Sequence, residues 1–129
     1  DAFALGRAVL DGDRIPALSF LFRLKANREE PMKLLGMLAW QLRQASQARA
    51  LLDDGFSSGE IGKRLRLFGY RLEPVIQAAR RRPLKYHTHR MALLADLDEA
   101  LKSFGGTSVT HWLQLERTVL RLCPQGKGV

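Results

Sequence analysis

The longest regular pattern of apolar and polar positions spans residues 29–54. At about 100° per residue its leucines and alanines fall on one broad stripe, which predicts an amphipathic helix of roughly six turns. Pro31 suits the first turn, because it lacks only a donor that would be unpaired there, and Gly55 suits the left-handed position after a helix. The stripe consists of Leu34, Leu35, Leu38, Leu42, Ala45, Ala48 and Leu52.

A smaller group of side chains lies beside this stripe. Met37 and Trp40 fall outside the main apolar face, next to the polar Gln44. Because tryptophan is favoured at the centres of protein interfaces, these three residues are the candidates for contact with a partner. The alternative is that this side of the helix also packs into the core of its own domain.

The same period predicts six further helices, so we expect an all-α fold, a compact antiparallel bundle of about seven helices. The two longest helices should pack against each other, since they carry the longest apolar stripes. Residues 1–123 form a single domain in this interpretation, and residues 124–129 form a flexible Gly-rich tail. The further helices are predicted at 2–10, 13–25, 59–67, 70–82, 84–104 and from Thr107 or Ser108 to 123. The inward residues predicted for the helix over 84–104 are Tyr86, Leu93, Leu97, Leu101 and Phe104.

Charge is distributed unevenly along the 129 residues. The net charge is +8, from 21 basic and 13 acidic side chains, and residues 55–90 alone hold nine basic and two acidic ones. Such a segment is typical of a surface that meets a polyanion or an acidic partner. A solvated basic face is the alternative.

Known catalytic and metal-binding motifs are absent. Gly62-Lys63 lacks the upstream glycine of a phosphate loop, and His87 and His89 are two positions apart, so they point about 200° apart on a helix. The single cysteine, Cys123, excludes an internal disulfide. We therefore expect no enzymatic activity, no cofactor and no metal. With neither a signal peptide nor a membrane-length apolar run, we expect a cytoplasmic protein that does not enter the membrane.

Two aromatic side chains interrupt the basic segment. Phe68-Gly69-Tyr70 is flanked by Arg66 and Arg71, and aromatic rings beside arginines can stack on bases and neutralise phosphates without sequence preference. These four residues are the candidates for contact with single-stranded DNA. Alternatively, Phe68 fills the core and Tyr70 packs on the following helix. A second DNA-binding interpretation takes residues 57–82 as a basic helix-turn-helix.

The order of segments resembles the C-terminal domain of the delta subunit of the bacterial DNA polymerase III clamp loader. The matching stretches are Phe3–Gly12 with Asp13–Leu24, Glu30–Leu35 with Leu38–Arg43, Ile61–Leu65 leading to Tyr70-Arg71, and Leu93–Lys102 before a final Leu-rich helix. The resemblance implies a non-catalytic collar domain that packs against the delta-prime and gamma/tau subunits. It also implies a role in placing the sliding clamp on primed DNA during replication, with primed or single-stranded DNA as a further contact.

Overall fold

The computed structural model describes residues 1–103 and 106–124, and its regular elements in these ranges are all helical. The predicted all-α fold with seven α-helices is thereby confirmed. A short 3-10 turn, Gly69–Arg71, precedes the fifth helix. The α-helices are α1 (Ala2–Asp11), α2 (Arg14–Ala26), α3 (Pro31–Asp53), α4 (Ser58–Leu65), α5 (Leu72–Arg81), α6 (Leu84–Ser103) and α7 (Ser108–Leu122).

Local chemistry explains most helix boundaries. Pro31 opens α3, and Gly55, with φ of 90°, follows its end. Ser57 caps α4 reciprocally: its hydroxyl accepts from the Glu60 amide at 3.2 Å, and the Glu60 carboxylate accepts from the Ser57 amide at 3.0 Å. Thr107 caps α7, as predicted, by accepting from the Thr110 amide.

Two predicted boundaries are wrong by a few residues. The fourth helix ends at Leu65 rather than at 67, because Arg66 takes the left-handed conformation with φ of 57°. The fifth starts at Leu72 rather than at 70, since the 3-10 turn comes first. Together these changes open a six-residue connection, residues 66–71, between α4 and α5.

Helix α3 is the central element of the bundle. It contacts α1, α4, α5, α6 and α7, and its contact with α6 is the most extensive, which confirms that the two long helices pack together. The main core is formed chiefly by α1, α2, α3, α6 and α7. Its fully buried side chains include Leu5, Leu21, Leu38, Leu94 and Leu115.

A second, smaller core lies at the C-terminal half of α3. There Ile61, Leu67, Val75 and Ile76 pack around Ala48. We call residues 58–81, which contain α4, the connection and α5, the α4–α5 lobe. The lobe has its own apolar cluster, and it packs against the main body chiefly through α3.

Several large apolar side chains are exposed. Ile15 and Phe22 of α2 face solvent, as do Val109 and Leu113 of α7. In α6 the buried face agrees with the predicted one at Leu97 and Leu101 and differs from it in the N-terminal half of the helix. It contains His87, Arg90, Leu94, Leu97 and Leu101, while Tyr86 and Leu93 are only partly buried. The predictions for Phe104, Gly105 and the tail 125–129 lie outside the described residues.

Candidate functional site

A surface groove runs along α3 between α1 and the start of α5. Three exposed aromatic rings form its walls: Phe3 of α1, Trp40 of α3 and Tyr70 of the connection, which are 52%, 49% and 82% exposed. Leu10 and Val75 are buried beside them. We call this surface the aromatic groove.

The groove continues toward the N-terminal end of α3. Phe3, Trp40 and Gln41 border both this extension and the first depression, and the extension is completed by Lys33, Gly36 and Met37. Lys33 to Gln44 is twelve residues of helix, separated by eleven rises of about 1.5 Å, so the groove follows α3 for about 16 Å. The two depressions hold about 70 Å³ and about 290 Å³.

Gln41 is a buried polar residue of the groove. Its Oε1 atom is enclosed without a hydrogen-bond partner, and the amide lies against Gly6 of α1. A methyl group added at Gly6 would stand 1.4 Å from that oxygen. Glycine at this position therefore allows α1 to approach α3 closely enough to form the wall that carries Phe3.

The three residues predicted for partner contact lie along this surface. Trp40 is half-exposed, Met37 is partly buried, and Gln44 is only 8% exposed because neighbouring side chains cover it. Their spacing predicted one shared side of α3, and they border the two depressions. Contact with a partner stays a prediction for all three, and Gln44 offers the least surface for it.

The four residues predicted for DNA contact form the connection between α4 and α5. Phe68 is 64% exposed, so it does not fill the core. Arg66 and Arg71 are exposed, and the Arg71 guanidinium lies 6.0 Å from the centre of the Tyr70 ring. The left-handed Arg66 and Gly69 turn the chain so that Leu67 alone points inward. Contact with DNA stays a prediction for the four.

The structure places part of the predicted partner site beside part of the predicted DNA site. Tyr70 and Arg71 border the aromatic groove opposite Trp40 and Gln44, whereas Arg66 and Phe68 are not among its lining residues. Sequence reasoning treated the sites as separate because no local pattern relates residue 40 to residue 70. It also missed Phe3 and Arg7 as groove residues, although their i, i+4 spacing puts them on one side of α1.

Of the nine basic side chains in residues 55–90, all except one are exposed. Arg90 is buried, with its guanidinium donating to the carbonyls of Val9 and Leu122. Arg81 pairs with Asp11 at 3.1 Å. The remaining seven cations are exposed, and none takes part in the ion pairs found within 1–103 and 106–124: Lys63, Arg64, Arg66, Arg71, Arg80, Arg82 and Lys85.

The geometry of the lobe does not favour a helix-turn-helix. That motif joins its helices by three or four residues, and here six residues with a 3-10 turn intervene. The inward face of α5, with Val75, Ile76 and Ala79, packs in the lobe core. The Gln77 side chain of α5 donates to Glu73 at 3.4 Å.

The described residues contain no group of three or more His, Cys, Asp or Glu side chains placed to hold a metal ion. His87 is buried against the Ala79 carbonyl at 3.3 Å, and burial lowers its pKa. Cys123 is buried, and burial raises the pKa of its thiol. Across the described ranges, none of the helices combines the length and the apolar character that crossing a membrane requires.

Comparison with known families decides the assignment. The family model described as DNA polymerase III delta subunit, C-terminal domain, matches residues 1–122 of this chain. The chain belongs to this family. A delta C-terminal domain is a component of a clamp loader, so the resemblance noted in the segment order is confirmed.

A solved structure of the same fold is that of the Bacillus subtilis DNA clamp loader delta protein (YqeN), with a TM-score of 0.79 and 22% sequence identity. The match covers 96% of this chain and 36% of that chain. The chain therefore spans about a third of the length of that protein, and at this identity the likeness shows the fold alone. A search of curated protein sequences found no match.

Proposed function

We propose that this domain is a non-catalytic collar that holds a cytoplasmic clamp loader together. In this role it packs against delta-prime and gamma/tau subunits, and the assembled loader places the sliding clamp on primed DNA. The family assignment over residues 1–122 supports the setting. No cofactor or metal is needed for such a role.

The observation that carries the proposal is the aromatic groove. Phe3, Trp40 and Tyr70 together expose three large rings on one side of a domain whose main core is otherwise well packed. Large exposed rings in one patch mark interaction sites, and Trp and Tyr are the residues whose truncation most often weakens protein interfaces. Met37 and Gln44 extend the surface along α3.

The two tryptophans of the chain give a matched test. Trp40→Ala should leave the free energy of unfolding of the isolated domain nearly unchanged, because the ring is half-exposed, and should weaken co-purification with the other loader subunits. Trp112→Ala should instead lower the stability by about 3–5 kcal/mol, because Trp112 is buried in the main core. A Trp40→Ala domain that unfolds, or that assembles as tightly as the wild type, contradicts the proposed role.

A second contact, with primed or single-stranded DNA, is proposed for the connection between α4 and α5. The exposure of Phe68 and Tyr70 beside Arg66 and Arg71 favours it. Stacking contributes about 1–3 kcal/mol per base, and arginines on phosphates give salt-dependent binding. Arg66 and Phe68 lie outside the groove and stay accessible when a partner occupies it.

Alanine substitutions at the four positions, measured in the assembled loader on primed template across a salt series, test this contact. The aromatic variants should weaken binding at every salt concentration, while the arginine variants should also reduce the salt slope. Lys102, which pairs with Asp98 on α6 at 3.0 Å, provides the control cation. Unchanged DNA affinity in all four variants with assembly intact excludes the connection as a DNA contact.

A further inference from the structure

Among the described residues, the charged side chains that line the aromatic groove are all basic. Arg7, Arg71 and Lys33 border it, and no acidic side chain is among the described residues that line either depression. Arg7 forms an ion pair with Asp11, in which the Asp11 carboxylate lies 3.4 Å from the Arg7 Nε atom. Lys33 and Arg71 belong to none of the ion pairs found in the described part of the chain.

The interior of the groove is shallow and mainly apolar, apart from Gln41 and Gln44. Leu10, Leu67 and Val75 are buried beneath the rings, and the depression between Trp40 and Tyr70 holds about 70 Å³. That space accepts one aliphatic side chain at a time. A groove about 16 Å long has room for about three turns of a helix laid along α3.

We propose that the aromatic groove binds a segment of a partner protein that inserts apolar side chains between the rings and presents acidic side chains to Lys33 and Arg71. The inference rests on the proposed collar function and specifies the chemistry of its partner. The groove cations attract acids during encounter and align the segment, while the rings and the buried floor provide most of the affinity.

A pair of synthetic peptides tests the chemistry directly. Both are twelve-residue amphipathic helices with leucines on one face, and they differ only in having glutamates or lysines beside the leucines. Binding is followed by amide chemical shifts of the whole domain in NMR spectra. We expect the glutamate peptide to bind at least ten-fold more tightly at low salt, with the largest shifts at Phe3, Trp40 and Gln41.

Three variants sharpen this measurement. Lys33→Glu and Arg71→Glu should each reduce the affinity for the glutamate peptide about ten-fold and reduce its salt dependence. Arg43→Glu changes the same charge at an exposed position of α3 that does not line the groove, and it should have little effect. Equal binding of the two peptides, or shifts that lie away from the groove, overturns the proposal.

Photo-cross-linking identifies the natural occupant. With Phe3→p-benzoylphenylalanine in the domain and the other loader subunits present, the cross-linked peptide should come from a partner subunit and carry acidic residues near an apolar one. A cross-link to a second copy of this chain, to DNA, or to a segment without acids overturns the inference. If the domain does not assemble with loader subunits at all, the collar proposal fails, and the peptide pair still decides the chemistry of the groove.

Discussion

At the scale of single residues, the buried imidazole of His87 couples folding to pH. Burial lowers its pKa below the ordinary value of 6.5, and the positive charge of Arg90 acts in the same direction, while the Ala79 carbonyl opposes them. As the pH falls through about 6.5, the His87 imidazole takes up a proton in the unfolded chain, whereas in the folded chain it stays neutral to lower pH. The stabilisation is thus fully present above about pH 6.5 and is lost as the pH falls below it.

We expect the free energy of unfolding to decrease from pH 7 to pH 5, with a contribution from His87 of at most about 1.4 kcal/mol per pH unit. Urea denaturation at half-unit steps measures it. His87→Gln keeps a donor for the Ala79 carbonyl and should remove this part of the slope. His89→Gln, at an exposed position of the same helix, controls for the loss of an imidazole, and equal slopes in the two variants would show that His87 is not the source.

His87 also shows where prediction of the buried face of α6 from the sequence fails. Positions 87, 90, 94, 97 and 101 follow a helical period, yet two of them are His and Arg. Hydrophobicity therefore pointed to Tyr86 and Leu93 instead. Arg90 is accommodated because its NH2 donors reach two main-chain carbonyls and its guanidinium lies 5.2 Å from the Tyr86 ring centre. Those partners come from distant helices, so no local pattern could indicate them.

At the scale of elements, two arginines complete the C-terminal end of α7. Arg14 of α2 donates from Nε to the Cys123 carbonyl at 2.6 Å and from NH2 to the Leu120 carbonyl at 3.2 Å. Arg90 of α6 donates to the Leu122 carbonyl at 3.2 Å and also to Val9 near the end of α1. The last carbonyls of a helix have no partner within it, and cations are favourable there. The two side chains thus join three helices to α7.

Arg90→Met should therefore destabilise the domain, because it keeps most of the volume and leaves the carbonyl of Leu122 without its donor, while the Val9 carbonyl keeps the Gly12 amide at 3.0 Å. The expected cost is about 1–3 kcal/mol for the Leu122 carbonyl. Arg90→Lys should cost less, since both bonds come from the one nitrogen NH2 and an ammonium can also donate more than one hydrogen bond. Arg43→Met on the surface is the control, and a midpoint in urea that is the same for Arg90→Met and for the control contradicts this role.

The N-terminal ends of α3, α4 and α7 are the features of the helices that were predicted best from the sequence. Pro31, Ser57 and Thr107 act within four residues of their own position, so local chemistry suffices. The aromatic groove was less accessible to prediction. The exposure of Trp40 followed from its position beside the stripe of α3, but its approach to Tyr70 depends on how the lobe packs against α3.

At the scale of the whole molecule, α3 connects two cores of unequal size. The main core draws chiefly on five helices, with Ala78 of α5 added, whereas the core of the α4–α5 lobe depends on a few side chains around Ile61 and Ile76. Helix α4 has eight residues, of which only Ile61 and Gly62 are buried. Regions with few buried contacts open at lower free energy than the global unfolding transition. We therefore expect the lobe to open while the main body stays folded.

Native-state hydrogen exchange distinguishes the two cores. Amides of α4 and α5 should exchange with lower protection than those of α1 and α6. Ile61→Ala should lower protection in the lobe while leaving α1 and α7 close to wild type, even though the truncation of a buried Ile costs about 2–5 kcal/mol. Leu115→Ala, at an equally buried position of the main core, should lower protection throughout the chain. If Ile61→Ala reduces protection equally in every helix, the domain unfolds as one unit, and Tyr70 and Arg71 cannot move independently of the groove wall formed by α1 and α3.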